Sequence, residues 1–115
     1  MEIYTKNKKL KKAMADHREA VRRYGQEMAE LIERRIAQLD TIANLAELWP
    51  PNSGPERCHE LTGTRKETFS MNVKQPYRLI FKPISDQSKP NYKDDKTWWA
   101  SIDSVEILDV EDTHE

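Results

Sequence analysis

The sequence predicts an α+β fold in which two N-terminal helices pack on a small, mainly antiparallel β-sheet. The first observation is a long run, residues 26–48, with apolar side chains at helical spacing. The second is a group of short runs between residues 57 and 82 whose apolar side chains alternate, as in half-buried strands. A stretch with three prolines and a glycine, residues 49–55, separates the two regions. At 115 residues the chain predicts one domain.

The N-terminal half predicts an edge strand and then helix. Glu2–Thr5 is the candidate strand, and the short segments Lys6–Met14 and 18–24 are helical, the second ending at Gly25. The long helix presents one apolar stripe that we expect to be buried against the sheet, opposite Leu79, Phe81 and Ile107. Its members are Leu31, Ile32, Ile36 and Leu39.

The C-terminal half predicts the strands. Three of them, Cys58–Leu61, Thr68–Val73 and Tyr77–Phe81, form a meander, and the last two are joined by a hairpin turn at Lys74-Gln75-Pro76. The polar stretch Lys82–Lys96 is a predicted surface loop, and Ile102–Val110 is the last strand. We expect the three tryptophans, Trp49, Trp98 and Trp99, to cover the core.

Charge is distributed unevenly along a chain whose formal net charge is −1. Residues 1–35 hold ten Lys or Arg against six Asp or Glu, whereas residues 101–115 hold six acids and no Lys or Arg. A basic half favours a polyanionic partner. The single cysteine, Cys58, excludes an internal disulfide and a cysteine cluster for metal, and is typical of a buried small apolar residue. The charged N-terminus and the lack of about 20 consecutive apolar residues predict a cytoplasmic protein without a membrane partner.

Four motifs in order resemble a known family. They are Cys-His-Glu-Leu-Thr-Gly-Thr-Arg at 58–65, Phe-Ser-Met-Asn-Val at 69–73, Tyr-Arg-Leu-Ile-Phe at 77–81 and Glu-Asp-Thr-His at 111–114. With the preceding helices and the Pro-rich turn, this set resembles the HigB-like branch of the RelE/ParE toxin superfamily, the toxins of type II toxin–antitoxin modules. The resemblance implies a RelE-like fold, cleavage of mRNA on the ribosome, and a HigA-like antitoxin partner, expected to be a helix-turn-helix protein. It implies no cofactor.

The resemblance also implies a site. RNA cleavage without a metal needs a base, an acid and cations that stabilise the charged phosphorane. By family position, His59, Asp112 and His114 supply proton transfer and orientation, and Arg78 supplies charge at the phosphate. Thr113 stands where many members carry tyrosine, so an aromatic ring has no role there. The predicted RNA-binding residues are Arg57, Arg65, Lys66, Lys74, Lys8 and Lys12.

Several alternatives stay open at this stage. His59 and Arg78 are also compatible with the solvated face of a strand, and His114 with a frayed tail. The lysine run at residues 8, 9, 11 and 12 is also typical of a solvated helix face. At the level of function, one alternative is a ParE-like toxin that acts on a protein target without cutting RNA. Another is a non-catalytic regulatory or binding partner, although no convincing helix-turn-helix supports DNA binding.

Overall fold

The computed structural model describes residues 1–65, 67–84 and 95–112. Four α-helices lie in this part of the chain: α1 Lys8–Ala15, α2 His17–Tyr24, α3 Gln26–Thr41 and α4 Asp95–Ala100. The strands are β1 Glu2–Thr5, β2 His59–Glu60, β3 Phe69–Asn72, β4 Tyr77–Pro83 and β5 Ser104–Asp112. Within the described residues, no helix is both long enough and apolar enough to span a membrane.

Polar side chains and one glycine divide the N-terminal half into three helices, close to the three helical segments that the sequence predicts. The Asn7 side chain accepts a hydrogen bond from the Leu10 amide and so caps α1. Asp16 caps α2 in the same way through the Arg18 amide. Gly25, at φ 83°, then ends α2, as the sequence predicts, and begins α3.

The long helix is shorter than predicted. It ends at Thr41, because Ile42 is already extended at φ −90° and ψ 152°. Asn44 then accepts from the Ala46 amide and begins a separate 3₁₀ turn, Leu45–Leu48. The prediction of one helix over 26–48 is therefore wrong beyond residue 41, where this local cap competes with continued helix.

The sheet has five strands in the order β1-β5-β4-β3-β2. The edge strand β1 runs parallel to β5, and every other pair is antiparallel, so the predicted mainly antiparallel sheet is confirmed. The last strand begins at Ser104 and continues two residues past the predicted end, to Asp112, because Tyr77 and Arg78 of β4 pair with its final residues. The predicted loop at Lys82–Lys96 is wrong at both ends, where β4 extends to Pro83 and α4 begins at Asp95.

Helices cover one face of the sheet. Leu39 and Ile32 of α3 are buried there with Leu79, Phe81 and Ile107, as predicted. Leu31 and Ile36 pack against the same core but are only partly buried. The aromatic core is also confirmed: Trp98 and Trp99 are buried, and Trp49 packs edge-on against Trp99 with ring centroids 5.1 Å apart. We call the face that the helices leave uncovered the outer face.

Candidate functional site

The outer face carries a row of polar side chains across its strands. Successive side chains of a strand point to opposite faces, and directly paired residues share a face. Since Leu79 and Phe81 point into the helical core, Arg78 points to the outer face. Its pairing partners are Asn72 on β3 and Glu111 on β5. A neighbouring row holds His59, Ser70, Ile80 and Asp109.

The side chain of Arg65 reaches the outer face from the loop that follows β2. Arg65 ends the short 3₁₀ turn Gly63–Arg65, just after the edge strand β2, yet its Nη1 forms an ion pair with Oε1 of Glu111 on β5. Strands β2 and β5 are separated by two others, so their axes lie about 14 Å apart. An arginine side chain is too short for that span, and the loop after β2 therefore lies over the outer face.

The two nitrogens of the His59 ring both face protein groups. Nδ1 lies 3.0 Å from the carbonyl oxygen of Arg57, so it carries the proton and donates. Nε2 lies 3.5 Å from the hydroxyl oxygen of the buried Ser70, and in the neutral ring it would hold the lone pair. A neutral His59 in this position has the tautomer that a general base requires.

Arg78 lies at the end of the outer face beside the β3–β4 turn. Its Nη1 donates to the side chain of Gln75 at 2.9 Å and to the carbonyl of Tyr77 at 3.3 Å. The carbonyl of Pro76 lies at 3.5 Å from the same nitrogen, so all three acceptors are neutral, and the side chain is half-buried. The guanidinium therefore keeps its full positive charge at the surface, where a phosphate can reach it.

Asp112 is separated from the residues predicted to work with it. It pairs with Tyr77, and the alternation of β5 places it on the opposite face from Glu111 and Arg78. Two further predicted site residues, His114 and Lys66, lie outside the described residues. Among the described residues, the structure therefore brings His59, Arg65 and Arg78 to one face and leaves Asp112 at the end of β5 on the other.

The remaining predicted RNA-binding residues lie in the helical layer, in the β3–β4 turn, or directly before β2. Lys8 and Lys12 are exposed on α1, in the helical layer on the opposite side of the sheet. Lys74 lies in the β3–β4 turn and forms an ion pair with Glu27 of α3 at 3.3 Å. Arg57 has an exposed side chain and a positive φ of 45°, and its carbonyl accepts a hydrogen bond from Nδ1 of His59.

Three polar residues of this region were missed by reasoning from the sequence. Glu111 and Ser70 occupy the outer face through the register of β5 and β3 against β4, for which the sequence carries no local signal. Arg35 is 5% exposed, and its Nε donates to the carbonyl of Asn72 at 2.7 Å, so it ties α3 to β3. Burial lowers the pKa of Arg35, and the charge of Glu56 opposes this effect.

Cys58 is the buried small residue that its sequence context predicts, at 1% exposure. Burial raises the pKa of its thiol, and the charge of Glu56 raises it further, which is the reverse of what a nucleophile needs. Elsewhere in the described ranges, no group of three or more His, Cys, Asp or Glu side chains is arranged to hold a metal ion.

The solved structures that share this fold include the two that follow. The "YoeB/ParE toxin from Agrobacterium tumefaciens" superposes with a TM-score of 0.56 at 14% sequence identity, over 99% of this chain and 100% of that one. The "YoeB-YefM complex from Staphylococcus aureus" gives a TM-score of 0.53 at 12% identity, over 100% of this chain and 98% of the other. No protein-family model matches the sequence, and no curated protein is similar enough to count as a relative. The protein thus has the α+β fold of the YoeB/ParE toxins, and the predicted fold class is confirmed.

Proposed function

We propose that this protein is the toxin of a type II toxin–antitoxin pair and that it cleaves mRNA on the ribosome, as a HigB-like member of the RelE/ParE superfamily. One observation carries the proposal: His59, Arg65 and Arg78 share the outer face of a sheet whose fold occurs in toxins. The four sequence motifs support the same assignment independently of the fold.

The proposed chemistry begins at the phosphate. Arg78 binds the scissile phosphate and stabilises the negative charge that develops on it, and Arg65 adds a second forked donor. His59 takes the proton of the 2′-hydroxyl through Nε2, after its ring turns from Ser70 toward the substrate. His114 protonates the leaving 5′-oxygen, and Asp112, at the end of β5, positions the tail that carries it.

The basic residues away from the outer face have a separate proposed role. Lys8 and Lys12 are exposed on the helical layer, and a ribosome presents phosphate on many sides of a protein bound within it. Lys74 and Arg57, near the ends of β3 and β2, extend the charge around the rim of the sheet, and Lys66 follows Arg65 directly in the chain. These residues position the toxin and do not take part in the chemistry.

An antitoxin partner follows from the same proposal. One of the two solved structures is described as a complex, YoeB with YefM. For this chain we propose a HigA-like antitoxin with a helix-turn-helix. Expression of the chain alone from a tight promoter tests the class: growth should stop, and co-expression of the cognate antitoxin should restore it. A protein that accumulates without effect on growth would contradict the proposal.

A toxin that acts on a protein target, like the ParE branch, is the second candidate. It is favoured by the position of Asp112 on the face opposite Arg78, and by the engagement of both His59 nitrogens within the protein. Both candidates predict growth arrest. They are separated by the state of the mRNA, because only the nuclease leaves new 5′ ends within coding sequences during arrest.

A further inference from the structure

We propose that Glu111 occupies the place of an RNA phosphate at Nη1 of Arg65, so that RNA gains both Nη nitrogens of this arginine only by displacing the carboxylate. The inference rests on the proposed function in one respect, the choice of RNA as ligand. Beyond the proposed function, the inference is that Glu111 competes with polyanions for Arg65 and so lowers the affinity of the outer face for them.

The first support is the ion pair itself. Arg65 and Glu111 are 46 residues apart in sequence, and their ion pair joins the loop after β2 to the last strand. A carboxylate offers two oxygens to the arginine fork, as a phosphate does, and the two anions use the same donors. The ion pair joins Nη1 of Arg65 to one oxygen of Glu111, so a phosphate that binds both Nη nitrogens of the fork must take Nη1 from this carboxylate.

The second support is the position of Glu111 among the cations. It is the direct pairing partner of Arg78 on β5 and also the ion-pair partner of Arg65. A single carboxylate is therefore bound to one of the two arginines that the proposed reaction uses and is the cross-strand neighbour of the other. Its negative charge opposes the approach of a phosphate to both of them.

The third support is accessibility. The side chains of Arg65 and Glu111 are 38% and 33% exposed, so the pair is neither buried nor fully solvated. A half-exposed pair contributes little net stability, because water competes for both partners. An incoming phosphate can therefore replace Glu111 by side-chain rotation, without unfolding of the loop.

The test measures binding of a single-stranded RNA whose 2′-hydroxyls are all methylated, which removes the nucleophile and prevents cleavage. Glu111→Gln should bind this oligonucleotide about two- to five-fold more tightly than wild type, the range expected when a half-exposed competing pair is removed. The salt dependence should also steepen. In wild type, Arg65 exchanges one anion for another, whereas in the variant it releases counterions, which adds about 0.7 to the slope of log K against log salt.

Asp109→Asn is the matched control. It removes the same charge from β5, two residues away, but Oδ1 of Asp109 accepts from the Val110 amide and, at 3.5 Å, from the side chain of Asn7. Its effect on affinity should be smaller, and the salt slope should stay near that of wild type. In a protein that already carries Arg65→Gln, Glu111→Gln should increase the RNA affinity no more than Asp109→Asn does. Thermal unfolding of every variant establishes that the comparison is between folded proteins.

Three results would overturn the inference. The first is an equal gain in RNA affinity for Glu111→Gln and Asp109→Asn. The second is a gain for Glu111→Gln that persists in the Arg65→Gln background. The third is no measurable oligonucleotide binding by either wild type or Glu111→Gln. Failure of the proposed function is a different result, because the methylated RNA does not report cleavage. Tighter binding by Glu111→Gln with no cuts in ribosome-bound mRNA would support the inference and contradict the nuclease.

Discussion

Arg78 and Glu111 oppose each other on the neighbouring antiparallel strands β4 and β5, and both side chains lie on the outer face. The next residue of β5, Asp112, opposes Tyr77 and lies on the other face. The sequence predicts that Asp112 lies beside Arg78. In the structure the carboxylate across from Arg78 is that of Glu111. This register places Glu111, from the acidic end of the chain, directly across from the arginine of the candidate site.

The first prediction concerns the core. Leu39 is 0% exposed, so Leu39→Ala should lower the free energy of unfolding by about 2–5 kcal/mol, because apolar burial decreases and a cavity is left behind. Leu31→Ala is the control on the same helix, because Leu31 is only partly buried and should cost less. Urea unfolding followed by circular dichroism measures both. Equal decreases for the two variants would contradict the observed phase of α3.

The second prediction concerns Gly54 in the Pro-rich turn. Gly54 has φ 64°, and a Cβ there would lie 2.6 Å from Oε2 of the buried Glu56. Gly63 has a similar φ, 68°, but no atom lies within 4 Å of its Cβ position. Both alanine variants should be destabilised by about 1 kcal/mol of backbone strain, and only Gly54→Ala should be destabilised further, because Glu56 must move. Thermal unfolding that ranks Gly63→Ala as equal or worse would contradict this packing.

The third prediction concerns the reactivity of Cys58. Because burial and Glu56 raise the pKa of its thiol, the folded protein should keep the thiol protonated at pH 8, whereas the unfolded chain ionises near the ordinary value of about 8.5. Iodoacetamide should label the folded protein far more slowly than the protein in urea. The chain has one cysteine, so mass spectrometry reads this site alone. Equal rates in the two states would show that Cys58 is accessible.

The fourth prediction concerns the lysines of α1. The double variant Lys8→Glu with Lys12→Glu should weaken ribosome binding and growth inhibition. The salt slope of binding should fall by about 0.7 to 0.9 for each phosphate that these lysines no longer neutralise. Arg18→Glu with Arg22→Glu makes the same change in net charge on an exposed part of α2 and should have less effect. Growth inhibition that is unchanged by the lysine variant would identify the run as a solvated helix face.

Much of the fold can be predicted from the sequence where burial is periodic. The apolar residues of α3 fall at helical spacing and identify this helix, and the partial alternation of β3 and β4 identifies the strands, although Ser70 and Ile80 on the outer face are buried as well. The end of α3 cannot be found in this way, since apolar residues continue past Thr41 into the Leu45–Leu48 turn. Helix α4 is likewise missed, because it has only six residues and its first part is polar.

The candidate site is less predictable than the fold, because strand register decides it. His59 and Arg78 are placed on one face by pairings that no local pattern specifies. Asp112 is grouped with them by the family resemblance, whereas the alternation of a strand that extends to residue 112 puts it on the other face. The ion pair of Arg65 with Glu111 depends on a loop that folds across two strands, which sequence spacing does not reveal.

The most direct test of the proposed nuclease is the mapping of mRNA 5′ ends on translating ribosomes incubated with purified protein. Wild type should produce cuts, Arg78→Ala should lower their rate by about 10²–10³-fold, and His59→Ala by about 10²–10⁴-fold. Arg34→Ala, which removes an exposed arginine from α3, should cut at the wild-type rate. Wild-type protein that leaves the mRNA intact, or an Arg78→Ala variant that cuts as fast as wild type, would contradict the proposal.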